Sequence, residues 1–385
     1  MKIVFSSNIS WSIYNFRFKL LQSLQNDGHE IYAVASRDEY TEKLINEGFN
    51  FEAIDLNNNA TNPLKDLETI YSYYTIYKKI NPDVICHNAI KPNIYGTIAA
   101  GILNIPVINN ISGLGTLFIK KRFSTIIAKL LYRISQKRAS KVFFQNNDDF
   151  QLFINNNLVS KEKCQVIPGS GVDTSRFIPN DDPKEDSVFQ FLFIGRLIYD
   201  KGIREYIEAV KLLKNKFPNA VFNILGPLYE NNSTAISKET LDSWIEDEGI
   251  IYLGQTDSVE NVIGLVDCVV LPSYREGLSK VLIEASSMGL PIVTTNVPGC
   301  RDVVIDNETG FLCEVNNSKD LADKMAKVLL MSIEDRKEMG VKARKRAITV
   351  FDEKIIIGHY KEAIQSIINI GSSKIASVNA KSKII

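Results

Sequence analysis

The fold of this chain is decided by residues 272–304, which read PSYREGLSKVLIEASSMGLPIVTTNVPGCRDVV. An apolar run, Cys268–Leu271, stops at the proline and predicts a buried strand that leads into a loop. Ser279 predicts the cap of a helix over residues 280–288, which a glycine and a proline bring to an end. Residues 292–295 predict the next strand. This order of strand, loop, helix and strand is typical of a parallel sheet covered by helices.

Two acidic residues lie eight positions apart in this stretch, Glu276 in the predicted loop and Glu284 inside the predicted helix. The backbone N–H groups of Gly277, Leu278 and Ser279 fall at the helix start, where unpaired donors and the helix dipole favour an anion. A phosphate bound there would have a carboxylate on each side, positioned to accept hydrogen bonds from sugar hydroxyls. The alternative is that both glutamates are solvated surface charges. The flanking strand, the glycines and the helix stop favour the binding site.

The rest of the chain alternates predicted strands and helices on both sides of a segment with prolines and glycines, residues 168–183. This alternation predicts an α/β protein with two doubly wound parallel-sheet domains, residues 1–175 and 184–352. A last helix over residues 353–370 and a mobile tail, residues 371–385, follow. Such sheets bind ligands at the carboxyl ends of their strands, so the loops to search are residues 7–12, 87–93 and 110–116. The first of these loops precedes a helix that the sequence predicts over residues 16–25.

Charge is divided unevenly along the 385 residues, although the net charge is zero. Residues 1–170 carry 19 Lys and Arg against 14 Asp and Glu, and the remainder carries 26 against 31. The positive half is expected to meet an anionic surface. Five scattered cysteines without Cys-x-x-Cys spacing indicate a reducing cytosol and argue against a disulfide framework or a zinc site. We expect the N-terminus to open as a strand and not as a signal peptide.

Two cations follow the first strand of the second domain, in the segment GRLIYDKG at residues 195–202. Gly195 at the strand end allows the backbone to approach a ligand closely, and Arg196 and Lys201 place positive charge beside it. The alternative is a pair of surface cations on a loop. Their position in the same predicted sheet as the two glutamates favours a shared binding site.

The Glu-x7-Glu spacing, followed by Gly-x-Pro-Ile-Val and Pro-Gly, resembles the donor site of retaining family-4 glycosyltransferases. The resemblance implies the GT-B fold, two Rossmann-like domains facing across a cleft, with the last helix returning to the first domain. It implies that Arg196 and Lys201 meet the diphosphate of a nucleotide sugar. It further assigns Glu284 to the ribose and Glu276 to the transferred sugar, and implies retention of anomeric configuration.

The chain contains no Asp-x-Asp pair, which enzymes commonly use to hold a sugar diphosphate through a divalent metal. Two cations and a helix N-terminus can take the metal's place. We therefore expect no metal and no cofactor. Catalysis is expected to concentrate where charge develops on the leaving diphosphate.

Loops of the first domain carry further candidates. Many family members have a histidine near the position of His87 that contacts the donor sugar or the reacting centre. The alternative is a structural histidine, which is the commoner role of a histidine in a loop. Lys91 lies in the same loop, and the turn with Gly113 and Gly115 resembles a glycine loop beside the cleft.

Residues 120–141 hold eight Lys and Arg and no acid, with apolar residues at helical spacing. A basic amphipathic helix fits an anionic membrane surface, whereas its apolar stripe is expected to pack on the domain core. The candidate membrane-contacting cations are Lys120, Lys121, Arg122, Lys129 and Arg133. We expect a peripheral cytoplasmic protein on the inner face of the membrane.

Three further stretches, residues 13–17, 91–96 and 112–115, resemble a bacterial subgroup of the family. That subgroup extends oligosaccharides on undecaprenyl diphosphate for O-antigen, capsule or N-glycan precursors, often adding N-acetylgalactosamine or N-acetylglucosamine from UDP. The implied partners are a UDP-sugar, an undecaprenyl-diphosphate-linked saccharide and the membrane, with no nucleic acid.

Two other functions compete with this interpretation. A non-hydrolysing UDP-N-acetylglucosamine 2-epimerase shares the two-domain fold but needs catalytic acids and a histidine in the cleft, which the sequence does not supply in a recognisable place. A non-catalytic nucleotide-sugar-binding protein would show no release of UDP that depends on a lipid acceptor.

Overall fold

The computed structural model describes residues 1–56, 63–114, 123–180, 188–229, 232 and 234–382, with side chains for all of these except 63, 123, 124 and 370–382. The chain forms two compact units. The first consists of Met1–Ser170 together with Lys354–Ile385, and the second consists of Gly171–Glu353.

The first unit is built on a seven-stranded sheet in which every pairing is parallel. Its strands are β1 (Lys2–Ile9), β2 (Glu30–Ser36), β3 (Asn50–Ala53), β4 (Val84–Asn88), β5 (Val107–Ile111), β6 (Lys141–Phe144) and β7 (Cys164–Val166). The strand order is β3-β2-β1-β4-β5-β6-β7. The order reverses between β1 and β4, and sheets of this kind bind ligands beyond the strand ends at that point.

In the described part of residues 1–170, six α-helices accompany this sheet: α1 (Ser10–Asn26), α2 (Thr41–Asn46), α3 (Pro63–Ile80), α4 (Thr97–Ile102), α5 (Phe123–Gln136) and α6 (Asn147–Asn155). The helix α1 begins six residues before the predicted start at Phe16. The reason is that Ile13 continues the core-facing stripe of Leu20, Leu21 and Leu24 at helical spacing. The residues predicted as a loop, 7–12, therefore form the end of β1 and the first turn of α1.

The second unit is built on a six-stranded parallel sheet in the order β10-β9-β8-β11-β12-β13. Its strands are β8 (Phe189–Ile194), β9 (Ala220–Leu225), β10 (Ile251–Tyr252), β11 (Cys268–Leu271), β12 (Ile292–Thr295) and β13 (Phe311–Cys313). Its helices are α7 (Ile203–Leu213), α8 (Lys238–Glu248), α9 (Val259–Ile263), α10 (Lys280–Ser287), α11 (Ser318–Leu330) and α12 (Ile333–Arg346). Here the strand order reverses between β8 and β11. The predicted fold class, two doubly wound parallel sheets, is confirmed.

The helix α10 starts at the predicted residue and ends one residue early, before Met288. Gly289 then takes the left-handed conformation, with φ +68°, which glycine adopts without strain. Ser279 stands at the N-cap, but its side chain makes no capping hydrogen bond. Ser279 therefore occupies the predicted N-cap position, but its side chain does not make the hydrogen bond that a capping serine would make.

The last helix, α13 (Glu353–Ser382), leaves the second unit and belongs to the first. Ile356, Tyr360 and Ile364 are buried in the same cluster as Phe5 and Phe143 of the first sheet. The helix continues past residue 371, where the sequence predicts a mobile tail, and residues 383–385 lie outside the description. Among the described helices, none combines the length and apolar character that crossing a membrane requires.

Candidate active site

Two loops of the second unit meet where its strand order reverses, one after β8 and one after β11. Gly202 makes the approach possible: it has φ +73°, and a Cβ added there would lie 2.0 Å from the carbonyl oxygen of Pro272. Gly299 does the same on the other side, since its added Cβ would lie 2.5 Å from the carbonyl oxygen of Glu276. Glycine is needed at both positions for backbone to meet backbone.

The meeting of these loops brings Lys201 and Glu276 together, with Lys201 Nζ donating to Glu276 Oε1. Ser273 Oγ donates to the same carboxylate oxygen at 2.8 Å. The ion pair is largely enclosed, with side-chain exposures of 19% for Lys201 and 13% for Glu276. Charge-assisted bonds of this kind hold the carboxylate in one orientation. Sequence reasoning assigned the two residues to different parts of a donor, and the structure shows that they also bind each other.

Four residues that the sequence analysis did not single out, Asp200, Glu205, Ser273 and Tyr274, hold this loop in place. The Tyr274 backbone N–H donates to the Asp200 carbonyl oxygen at 3.0 Å, and Ser273 Oγ, which donates to Glu276, lies 3.2 Å from the same carbonyl oxygen. Tyr274 Oη donates to Glu205 Oε1 on α7 at 2.9 Å, and burial raises the pKa of Tyr274 above its usual value. Ser273 and Tyr274 belong to the decisive stretch itself, so their position was a signal that could have identified them.

The start of α10 is less open to an anion than the sequence suggests. The N–H of Ser279 donates to the carbonyl oxygen of Gly299 at 2.9 Å, so it is already used inside the unit. Gly277 is buried and Leu278 is half-buried in the same turn. The prediction that the Ser279 amide would bind a phosphate is corrected: its hydrogen bond closes the loop onto its neighbour.

Arg196 is the exposed cation of this edge. It follows Gly195 directly at the end of β8, and its guanidinium carbon lies 5.2 Å from the centre of the Tyr229 ring. An arginine over an aromatic ring keeps its hydrogen-bonding edge available while its orientation is restricted. Arg196 can therefore present planar donors to an anion at the strand end.

Glu284 is almost completely buried on α10, with 6% exposure. Burial raises its pKa from the usual 4.5 to about 7, although the cations Lys280 and Arg176 act in the opposite direction. Lys280 Nζ lies 3.9 Å from Glu284 Oε1, and Arg176 donates to Glu260 Oε2 at 2.7 Å. Glu284 thus belongs to a compact group of two cations and two acids.

In the first unit, His87 is fully buried and both of its ring nitrogens are in hydrogen-bonding contact. Nε2 lies 2.7 Å from Tyr77 Oη and Nδ1 lies 2.9 Å from Asn109 Oδ1. Burial lowers the pKa of His87 to about 4, so the ring is neutral at physiological pH. This is the arrangement of a structural histidine, and we correct its assignment to the reacting centre.

The other first-unit candidates are only partly described. Lys91 is half-buried, and burial lowers its pKa while Asp66 and Asp55 act to raise it. Gly113 has φ +114°, a conformation that favours glycine, and Gly115 lies outside the described residues.

The helix α5 turns its apolar stripe outward, contrary to the prediction. Ile126, Leu130 and Ile134 are 65%, 54% and 46% exposed, while Tyr132 and Gln136 are fully buried. The face of α5 that carries Gln136 turns inward because Gln136 Nε2 donates to the Asn93 carbonyl oxygen at 3.0 Å. This buried hydrogen bond determines the orientation of the helix.

Two of the proposed membrane cations contact their own unit. Lys129 Nζ donates to Asn156 Oδ1 at 2.7 Å, and Arg133 Nη2 donates to the Asn156 carbonyl oxygen at 2.9 Å. Lys120, Lys121 and Arg122 lie outside the described residues. Within the described part of the chain, no group of three or more His, Cys, Asp or Glu is placed to hold a metal ion.

Two family models match the chain, one in each unit. The model for glycosyl transferases group 1 matches residues 175–346, and that for glycosyl transferase 4-like proteins matches residues 2–146. The fold is similar to that of a glycosyltransferase from Rickettsia africae, with TM-score 0.78 and 20% identity, covering 95% of this chain and 98% of the other.

Two curated relatives are similar in sequence. One is the N,N'-diacetylbacillosaminyl-diphospho-undecaprenol alpha-1,3-N-acetylgalactosaminyltransferase of Campylobacter jejuni, 29% identical over 96% of this chain and 99% of the relative. Another is the UDP-Gal:alpha-D-GlcNAc-diphosphoundecaprenol alpha-1,3-galactosyltransferase of Escherichia coli, 28% identical over 69% of this chain and 71% of the relative. With both units matched by family models and two parallel Rossmann-like sheets, the chain belongs to the glycosyltransferases of the GT-B type.

Proposed function

We propose that this enzyme transfers an N-acetylhexosamine from a UDP-sugar to an undecaprenyl-diphosphate-linked saccharide. The observation that carries the proposal is the edge of the second unit, where Lys201, Glu276 and Ser273 are bonded together beside the exposed Arg196. The similarity to the Campylobacter jejuni enzyme over nearly all of both chains supports the acceptor class and the sugar.

In this proposal, the cations of the second unit neutralise the UDP leaving group. Arg196 and Lys201 donate to the diphosphate, whose negative charge grows as the glycosidic bond breaks. Lys201 then exchanges its bond to Glu276 for one to phosphate, and Glu276 accepts hydrogen bonds from hydroxyls of the transferred sugar. Glu284 accepts from the ribose hydroxyls. The acceptor oxygen bonds to the anomeric carbon on the face that the diphosphate leaves, and its proton passes to the departing diphosphate oxygen, so the anomeric configuration is retained.

The reaction is proposed to need no metal ion, because two cations can balance the diphosphate. We further propose that the first unit lies against the inner face of the membrane through α5. Its outward stripe of Ile126, Ile127, Leu130 and Ile134 suits the boundary between headgroups and acyl chains.

The test is a panel of UDP-sugars offered with a polyprenyl-diphosphate-linked saccharide, with products read by mass spectrometry and anomeric configuration by NMR. We expect one UDP-N-acetylhexosamine to give an extended lipid-linked product, with and without excess EDTA. Epimerised UDP-sugar formed without an acceptor would instead identify an epimerase, and binding of UDP-sugar without any product would identify a non-catalytic binding protein. Loss of activity in EDTA that magnesium restores would contradict the metal-free mechanism.

A further inference from the structure

Arg17 lies on the core-facing side of α1, where most of the neighbouring side chains are apolar. It falls in the buried stripe that Ile13, Leu20, Leu21 and Leu24 form, and only 4% of it is exposed. Among the described residues, no carboxylate forms an ion pair with it. A buried cation without a counter-charge costs several kcal/mol, which apolar residues at the same place do not. A chain that keeps this arginine in its core gives up stability there.

The contacts of Arg17 leave part of its donor capacity unused. Nε donates to Asn88 Oδ1 at 3.1 Å, Nη1 donates to the Phe16 carbonyl oxygen at 3.0 Å, and the guanidinium carbon lies 5.4 Å from the centre of the Tyr360 ring. The guanidinium also hydrogen-bonds the Tyr360 side chain, so its five N–H donors face three neutral acceptors, and none of the three is a carboxylate.

Arg17 meets the end of β4, where the strand order of the first sheet reverses. Asn88, its partner, is the last residue of β4, and the amide Nδ2 of Asn88 is enclosed without a hydrogen-bond partner in the described structure. Ala89 follows with φ +76°. Among the described residues with positive φ, only Ala89 is neither glycine nor asparagine. A positive φ strains the backbone of such a residue, and strained residues cluster at functional sites.

We propose that Arg17, with Asn88, forms a phosphate-binding subsite in the first unit and takes the diphosphate of the lipid-linked acceptor. A guanidinium binds phosphate oxygens through paired N–H donors, and a buried one does so with little competition from water. The nucleotide is the other source of a diphosphate, but the second unit has its own cations for it in Arg196 and Lys201. The inference rests on the proposed function only in naming the acceptor as the source.

The experiment measures binding without turnover, by calorimetry on the full chain, with farnesyl diphosphate and UDP as separate probes. Arg17→Met should weaken farnesyl diphosphate at least tenfold and leave UDP unchanged, while Arg17→Lys should lose less. Arg37→Met is the matched control, because Arg37 lies in the same unit, is exposed and has Glu42 as its partner. The control should bind both probes as the wild type does.

Asn88→Asp is a second variant, which tests the proposal even if the Arg17 variants fail to fold. It places a carboxylate of nearly the same shape beside Nε, so the guanidinium acquires an internal counter-ion. We expect a higher melting temperature together with at least tenfold weaker farnesyl diphosphate binding. A higher melting temperature with unchanged binding would show that Arg17 is structural and would overturn the proposal.

Two further outcomes would also overturn it: unchanged farnesyl diphosphate affinity in Arg17→Met, or equal loss of farnesyl diphosphate and UDP, which would place Arg17 at the nucleotide. Neither result depends on sugar transfer. If the panel of UDP-sugars gives no product, the proposed function fails while a bound farnesyl diphosphate still identifies the subsite.

Discussion

The two sheets differ in the kind of side chain that stands at their ligand-binding edges. In the second unit, charged side chains stand in loops and pair with each other, as Lys201 does with Glu276. In the first unit, the corresponding strand ends are lined by buried amides and a neutral His87, with Arg17 as a cation that no described carboxylate pairs with. The difference teaches that the edge of the second sheet can exchange an internal charge partner for a ligand, whereas the edge of the first sheet holds one cation among neutral amides, of which Asn88 Nδ2 has no hydrogen-bond partner in the described structure.

The largest effect is expected when a cation is removed from the edge of the second unit's sheet. Lys201→Ala and Arg196→Ala should each lower kcat about a hundredfold, about 3 kcal/mol of transition-state stabilisation, because charge develops on the leaving diphosphate. Steady-state kinetics and thermal melting measure the two effects separately. Melting temperatures should stay close to that of the wild type. A large fall in stability with normal turnover of the folded fraction would mean that the cations serve the fold.

The two glutamates of the second edge should then separate by function. Glu284→Gln is expected to weaken UDP roughly tenfold, because ribose is common to donor and product and a charged acceptor contributes about 1.5 kcal/mol more than a neutral one. Glu276→Gln should lower sugar transfer and leave UDP affinity nearly unchanged. Calorimetry with UDP decides between them. If Glu276→Gln weakened UDP as much as Glu284→Gln did, the division between ribose and transferred sugar would be wrong.

The two edges should also respond to pH in opposite directions. Glu284 binds its proton more tightly when folded, with its pKa raised to about 7, so its stabilisation is complete below pH 4.5 and is lost as pH rises through 7. His87 binds its proton less tightly when folded, with its pKa lowered to about 4, so stability is lost as pH falls from 6.5 toward 4.

Melting curves from pH 4.5 to 8 check this pair of effects, each on the order of 5 °C. Glu284→Gln should flatten the alkaline loss, and His87→Gln should flatten the acidic loss even if its melting temperature is lower throughout. Slopes that remain as in the wild type in either variant would exclude that residue as the cause.

The smallest expected effect concerns the outer surface of the first unit. Anionic liposomes should co-sediment the protein at low ionic strength, and Ile126→Asn with Leu130→Asn should reduce the bound fraction a few-fold. Leu330→Asn is the matched control, since Leu330 is 75% exposed on α11 of the second unit. Equal loss in the control would show that the stripe of α5 has no special part in binding.

The charged edge could be predicted from sequence because its residues sit at fixed places in a strand-loop-helix pattern. The bonds of Ser273 and Tyr274 could not, since they depend on Gly202 admitting a loop some 70 residues away in sequence. Hydrophobic spacing indicated that α5 is amphipathic but not which face meets the core, which the hydrogen bonds of Gln136 decide. Arg17 lies in a stretch that carries the subgroup resemblance, but it was not predicted as a site residue because a charge inside an apolar stripe resembles an interruption of the stripe.

Because α13 belongs to the first unit but follows the second unit in sequence, the first unit cannot complete its core until α13 has been synthesised. A ribosome completes residues 1–170 and then makes the whole of 171–353, roughly ten to forty seconds of synthesis, before Tyr360 and Ile364 emerge. During that interval the nascent chain lacks the four buried residues of α13 that belong to the cluster around Phe5 and Phe143, which are Ile356, Tyr360, Ala363 and Ile364. The second unit, uninterrupted in sequence, can finish folding first although it is made later. The first unit is therefore the part of the nascent chain that a chaperone has most reason to shield.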